Sequence, residues 1–373
     1  MAKNETRNQK SKAKGKLIVF ALEVVVIIVM LIGGYYIYKL TEKTPSGEAG
    51  SGTASGPTFI EFDENTDLGI NKDITENNET MKGYMNVALF GVDAQKESQL
   101  YKGSRSDSTM IANINLDTGE IKLVSLYRDT FLNIGKEYRK CNAAYSYGGA
   151  EQAIRMMNLN LDMDIENFVT VNYKGLVDVI NGVGGVYIDV DDEEIIHLNN
   201  YQVGISDVLK CDYTPVKNSG YQLLDGVQAA AYCRIRYTRG DDFKRAARQR
   251  EVIMAIEEQA KKCSIDTLIE VFNKAAGNIY TSIGSDEIIE LIKNISKYHI
   301  VAEDGFPQES MRTTGIIGAK GSSVIPVDLE SNVVWLHQFL FDDQDYQVSD
   351  TVKEYSEKIK SETAPYLGAQ GAQ

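Results

Sequence analysis

Seven basic residues fall within seventeen positions of the chain, at Arg234, Arg236, Arg239, Lys244, Arg245, Arg248 and Arg250, in a protein whose formal net charge is -14. Guanidinium groups bind phosphate oxygens through paired, charge-assisted hydrogen bonds, so a cluster of them suits an anionic ligand. If residues 232 to 237 form a strand, Arg234 and Arg236 point to one face and Ile235 to the other. In a helix starting with Asp242 as its N-cap, Arg245, Arg248 and Gln249 lie three to four positions apart and share a face. Two arginines from the strand and one or two from the helix can then converge on a phosphate or pyrophosphate. Solvated surface pairing is the competing reading of this segment taken alone.

A second group lies upstream. Asp93 ends an apolar run, Arg105, Ser106 and Asp107 precede the next, and Arg128 and Asp129 end a third. These are the strand ends and adjoining loops where α/β sheets place ligands. Two carboxylates at neighbouring strand ends suit Mg²⁺, or Mn²⁺ in its place, which retains waters that phosphate oxygens can replace. Singly, an Asp after a strand is a common turn residue.

The elements that must carry these residues follow from periodicity. Strands are expected at Val87 to Val92, Thr109 to Asn115, Ile121 to Leu126, Phe168 to Val171, Val186 to Val190 and Ser323 to Val327. Helices are expected at Gly149 to Met157, Tyr173 to Asn181, Asp242 to Lys262, Ile265 to Lys274, Asp286 to Tyr298 and Trp335 to Phe341. Alternation of the two element types indicates a layered α/β domain. With 373 residues, 43% of them hydrophobic, the chain can bury a sizeable core.

Residues 1–16 form a basic tail with Lys3, Arg7, Lys10, Lys12, Lys14 and Lys16 against Glu5, and residues 17–40 form an apolar run. That order reads as a single-pass signal anchor with its amino terminus in the cytoplasm. Glu23 is the one acid in the run. Residues 41–81, rich in Ser, Gly, Thr, Asn and acids, read as a flexible extracytoplasmic linker. Residues 82–345 are the expected catalytic domain, and residues 346–373 a charged, helical tail. An acidic protein outside the cytoplasm has no general attraction for nucleic acid and no supply of ATP. Cys141, Cys211, Cys233 and Cys263 match no CxxC pattern, and of these only Cys211 and Cys263 suggest a disulfide.

Several segments together resemble the successive motifs of the LytR-CpsA-Psr family: LFGVDAQ, SRSDSTMIANINLDTGEIKLVSLYRDT, KCNAAYSYGG, VDVINGVGGVYIDV and LDGVQAAAYCRIRYTRGDDFKRAARQR. The resemblance runs from about residue 86 to 251 in the family's order. It implies a three-layer α/β/α domain with a central mixed sheet, a hydrophobic channel for a polyprenyl tail, and an arginine-lined mouth for its pyrophosphate. By position, Asp93 and Asp107 resemble the family's Mg²⁺ ligands. Arg105, Arg128, Arg234, Arg236 and Arg245 resemble its pyrophosphate-binding arginines, with Gln249 beside them. Asp242 holds the family's acidic position, where it can cap the helix, orient an arginine or accept a proton. Tyr127 stands where the family often has proline, and Cys141 and Cys233 replace commoner aliphatic or small residues.

The implied activity is transfer of a glycopolymer, a teichoic acid, capsular polysaccharide or similar polymer, from a polyprenyl-pyrophosphate carrier to peptidoglycan at the membrane of a Gram-positive-type envelope. Hydrolysis of the same lipid, or lipid binding without catalysis in a regulator, are the alternatives the residues leave open.

Overall fold

A computed structural model describes residues 58–60, 62–63, 65–94, 98–236, 241–283 and 298–367. The expected anchor at 17–40, the residues before it, most of the helix expected at Asp286 to Tyr298, and Arg239 lie outside the described residues. Among the described residues, no helix is long and apolar enough to cross a membrane.

In chain order the strands are β1 (Thr58–Phe59), β2 (Tyr84–Val92), β3 (Ser106–Asn115), β4 (Glu120–Leu126), β5 (Phe131–Asn133), β6 (Tyr138–Lys140), β7 (Asn167–Asn172), β8 (Val186–Val190), β9 (Gly220–Leu224), β10 (Ile279–Thr281), β11 (His299–Phe306), β12 (Arg312–Ile316) and β13 (Ser322–Pro326). The helices are α1 (Lys72–Asn77), α2 (Ser98–Tyr101), α3 (Ala143–Leu161), α4 (Tyr173–Gly182), α5 (Asp192–Leu209), α6 (Gly226–Tyr232), α7 (Asp241–Ala260), α8 (Ile265–Ala275), α9 (Leu329–Phe341) and α10 (Asp350–Leu367).

The central sheet is mixed, in the order β1-β10-β7-β2-β3-β4-β11 among the described residues. β2 pairs antiparallel with β3 and parallel with β7, and β11 adds parallel to β4. Both faces are covered, which is why β2 reads as an almost unbroken apolar run. Val87 and Leu89 enter a core shared with α4, α6, α7 and α8, while Ala88, Phe90 and Val92 enter a second core against α3, α9 and α10. The result is three layers, helices on sheet on helices.

Four expectations change. The described part of the strand expected at 232 to 237, residues 232 to 236, is no strand: α6 runs through Tyr232, followed by a turn at Cys233 and Arg234. A capping box at Asp225 and Gln228 starts that helix, and the alanines at 229 to 231 extend it against the β-like alternation of the next residues. Part of the expected linker is folded, since β1 pairs with β10 and Phe62, Leu68 and Ile74 pack on the second core. The carboxyl-terminal helix is part of the domain too: Val352, Ser356, Ile359 and Thr363 form one buried stripe. Its start is held by Asp162, whose carboxylate accepts hydrogen bonds from Ser349 N at 2.7 Å and Tyr346 Oη at 3.1 Å.

The helix expected from Gly149 begins there as a second segment of α3. Gly148 and Gly149 break the helix, and Gly149 has φ of 70° with no room for a side chain beside the Tyr101 carbonyl. The four cysteines are free thiols, so Cys211 and Cys263 are not bridged.

Candidate active site

The sheet brings one set of chain ends together. Asp93 follows β2, Asp107 is the second residue of β3, Arg128 lies just past β4, and Tyr173 follows β7, all at the same end because β2, β4 and β7 finish where the antiparallel β3 begins. Gly91 pairs with Ser108 and Val92 with Ser106, leaving Asp107 as the extra residue of a bulge. A bulge re-aims the inserted side chain, and here it turns Asp107 toward the arginines.

From Asp107 a chain of alternating charges extends both ways. Arg128 Nη1 lies 2.5 Å from Asp107 Oδ1, and Arg128 Nε 3.4 Å from Asp129, which Lys140 Nζ reaches at 2.8 Å. On the other side Arg236 is 3.7 Å from Asp107 and 3.7 Å from Asp242, and Arg245 Nη1 is 3.3 Å from Asp242. Arg245 Nη2 also donates to the Asp107 carbonyl at 3.4 Å. Asp242 therefore lies in the first turn of α7 and orients two arginines; it is not the helix's N-cap.

Arg234, Arg236, Arg245 and Gln249 line a polar pocket with Asp107, Tyr173, Tyr201 and Cys233, enclosing about 380 Å³ of atom-free space to its mouth. Ile235 between the two arginines is fully buried, so the irregular chain achieves the alternation expected of a strand. The Arg234 guanidinium lies 4.9 Å from the Tyr173 ring centre and 5.5 Å from that of Tyr201, an aromatic seat that orients a cation without neutralising it. Gln249 Nε2 donates to the Cys233 carbonyl at 3.4 Å, tying α7 to the turn that carries Arg234.

Directly behind this pocket is an apolar cavity of about 1050 Å³, measured to its opening. Leu89, Met110 and Val169 of the sheet form one wall, and Leu176 of α4 with Val252, Ile253 and Ile256 of α7 form the other. The two spaces share Asp107, Tyr173, Cys233 and Gln249. A greasy channel thus opens into a cationic mouth.

The mouth is short of negative charge. Arg245 is held below the usual arginine range chiefly by burial; Asp242 opposes this, and the neighbouring Arg236 and Arg128 add to it. Arg128 Nε, Arg245 Nε and Asp242 Oδ1 are buried with no hydrogen-bond partner among the described residues. An anion accepting from Arg128 Nε and Arg245 Nε would relieve the shortage of negative charge and satisfy both donors, whereas Asp242 Oδ1 is an acceptor and stays with its arginine neighbours. The Tyr173 phenol is pushed above its ordinary value by burial first and then by Asp107, with Asp93 acting in the same sense and Arg234 against it, so Tyr173 stays a neutral donor.

Two expected residues sit apart. Arg105 is exposed and lines neither space, and Asp93 is exposed at the rim, near enough to act electrostatically on Tyr173. Arg128 and Asp242 also line neither space but are tied to the pocket through Asp107 and through Arg236 and Arg245. Arg248 turns inward instead, donating to Glu194 at 2.7 Å and to the Ile235 carbonyl at 3.1 Å, which ties α7 to α5. Tyr173 and Tyr201 were not anticipated. Tyr173 could have been found from its position just after a central strand, whereas nothing near Tyr201 in the sequence marks it.

Residues 59–334 match the LytR_cpsA_psr family. The chain belongs to this family. Among its LytR-CpsA-Psr relatives is Enterococcus faecalis TagU, a polyisoprenyl-teichoic acid–peptidoglycan teichoic acid transferase by name, 31% identical over 62% of this chain and 71% of its own. Bacillus subtilis TagT, of the same designation, is 27% identical over 83% of this chain and 90% of its own. The crystal structure of B. subtilis TagV superposes with a TM-score of 0.56 at 25% identity, covering 72% of this chain and 99% of that one.

Proposed function

We propose that this protein transfers a glycopolymer from a polyprenyl-pyrophosphate carrier to peptidoglycan, forming a phosphodiester. The observation that carries the reading is the continuity of the apolar channel with the arginine mouth, through Asp107, Tyr173, Cys233 and Gln249. Such a site fits a ligand with a long hydrocarbon and a diphosphate at its end. The relatives' transferase designations supply the donor class, a teichoic acid, and the acceptor.

An acceptor hydroxyl attacks the phosphorus attached to the glycan. The new P–O bond forms as the bridging P–O bond breaks, the hydroxyl proton is lost, and polyprenyl phosphate leaves. Arg128, Arg234, Arg236 and Arg245 would bind the diphosphate and neutralise charge growing on the leaving phosphate, the main lever available in phosphoryl transfer. Gln249 and Tyr173 supply neutral donors at the junction. Asp242 acts by holding Arg236 and Arg245 in place.

Asp93 and Asp107 fit a loosely held Mg²⁺ or Mn²⁺, since two carboxylates leave positions for waters and phosphate oxygens. Among the described residues no group of three or more His, Cys, Asp or Glu comes together, so the proposed ion would rest on these two carboxylates. A bound ion would supply further charge neutralisation. Residues 17–40 are proposed to anchor the enzyme in the membrane with its domain outside, where lipid-linked donors and peptidoglycan meet.

The test is incubation of the full chain in lipid vesicles with lipid-linked glycopolymer, with and without peptidoglycan. Phosphodiester-linked product that requires the acceptor supports transfer. Release of glycan phosphate to water at the same rate without acceptor would make the protein a hydrolase, and bound lipid with no turnover would make it a binding protein.

A further inference from the structure

Beside the anion pocket, but lining no part of it, Arg312 of β12 is held by aromatic rings. Its guanidinium carbon is 3.9 Å from the centre of Phe243 and 4.9 Å from that of Tyr127, and these two rings meet edge to face at 4.7 Å. Arg312 Nη1 donates to Tyr127 Oη at 3.1 Å and to the Pro307 carbonyl at 3.1 Å. No carboxylate lies within ion-pair distance of Arg312 among the described residues, so its charge rests on the rings and these oxygens.

The two rings belong to the two segments that build the mouth. Tyr127 immediately precedes Arg128 at the end of β4. Phe243 immediately follows Asp242 and stands two residues before Arg245 in the first turn of α7. The Tyr127 phenol is itself fixed: its backbone N donates to Phe306 O at 3.1 Å, and its ring packs over Gly305, where any side chain would collide with the hydroxyl. The outer side of that α7 turn is tethered by Lys244 to the exposed Asp191 and Glu193 at 3.3 and 3.2 Å and to the buried Glu194 at 3.5 Å.

We propose that Arg312 is a positioning residue for the pyrophosphate site: it clamps Phe243 to Tyr127 and so holds Asp242 and Arg245 opposite Arg128 and Asp107. This rests on the functional reading above. Arg312 touches neither cavity, and its effect passes through the α7 turn.

The test compares Arg312→Ala, Phe243→Leu, Arg245→Ala and the double variant Arg312→Ala/Arg245→Ala in the full chain, well below each variant's melting temperature. Arg312→Ala is expected to lower kcat tenfold or more with a smaller change in KM, and Phe243→Leu to reproduce the loss. The double variant is expected to lose clearly less than the product of the two single losses, since part of the clamp's effect passes through Arg245, a coupling that general destabilisation does not produce. Multiplicative losses in the double variant, or wild-type kcat in Phe243→Leu, would overturn the clamp; the latter also serves if Arg312→Ala does not fold. If Arg245→Ala and Arg128→Ala themselves bind geranylgeranyl pyrophosphate and turn over as the parent does, the site reading fails. If those two lose function while Arg312→Ala keeps it, only the clamp fails.

Discussion

Replacement of Arg128 by alanine is the sharpest test of the site, because its catalytic and structural consequences can be separated by magnitude. The side chain is largely buried, and its Nη1 sits 2.5 Å from Asp107. Losing one donor aimed at charge that develops in the transition state lowers turnover by about 10² to 10³, or roughly 2.7 to 4 kcal/mol. The cost to stability is smaller. Stranding a buried charge costs about 3 to 5 kcal/mol, but Asp107 retains Arg236 at 3.7 Å and is itself about a quarter exposed, at 24%. What is lost is closer to one hydrogen bond to a charged group, about 1.5 to 3 kcal/mol. For a domain of this size each kcal/mol shifts the melting temperature by about 2 to 4 °C. Arg128→Ala should therefore remain folded at 25 °C while transfer falls at least a hundredfold in a vesicle assay with lipid-linked donor. Arg155→Ala, which removes a surface pair with Asp67, is the matched control. A folded Arg128→Ala enzyme with turnover within twofold of the parent would refute the charge-stabilisation account.

Four further outcomes follow from other parts of the structure. Ile253→Trp, which fills the channel wall, should weaken binding of a long polyprenyl pyrophosphate more than tenfold while leaving inorganic pyrophosphate unaffected, because excluding even two methylenes forfeits about 1.6 kcal/mol; titration calorimetry with both ligands checks it. Chelation of divalent ions should suppress transfer, and Asp93→Asn should raise the Mg²⁺ concentration needed to restore it, measured as activity against added metal. Glu257 is fully buried and its carboxyl is pushed up to about 8 by burial, which the pairing with Lys261 only partly offsets. The folded state then keeps a proton that the unfolded chain releases, so stability falls as pH rises from about 4.5 to 8, and denaturant midpoints across that range should flatten in Glu257→Gln. Deleting residues 346–373 removes the buried Tyr346, Val352 and Ile359, worth about 1.5 to 3 kcal/mol each. That sum approaches the whole stability of a typical domain, about 5 to 15 kcal/mol, so the truncated protein should lose cooperative thermal unfolding in calorimetry.

What could be read from sequence divides along a physical line. Strands such as β2 and β8 were legible because burial on two faces or one imposes an unbroken apolar run or a strict alternation. Asp107 and Arg128 were legible as strand-end residues, but that a bulge turns one toward the other was not, since a bulge is a property of pairing. The segment around Arg234 shows the limit most clearly. Its alternation resembles a strand, yet the capping box upstream commits the chain to α6, and the arginines reach the pocket from a turn. The carboxyl-terminal helix looked like a solvated tail because two of its four buried positions are Ser356 and Thr363, which a hydrophobicity reading passes over. The aromatic seat of Arg234 and the clamp on Arg312 were hidden for a deeper reason: each joins residues more than thirty positions apart. Local pattern can nominate charged groups for an anion site, but whether they converge depends on the residues that fix their angles. In this protein Asp107 and Asp242 hold Arg128, Arg236 and Arg245, Tyr173 and Tyr201 seat Arg234, and on the clamp proposal Tyr127 and Phe243 hold the turn that carries Asp242, so aromatic substitutions outside the pocket should alter turnover as well as loss of an arginine within it.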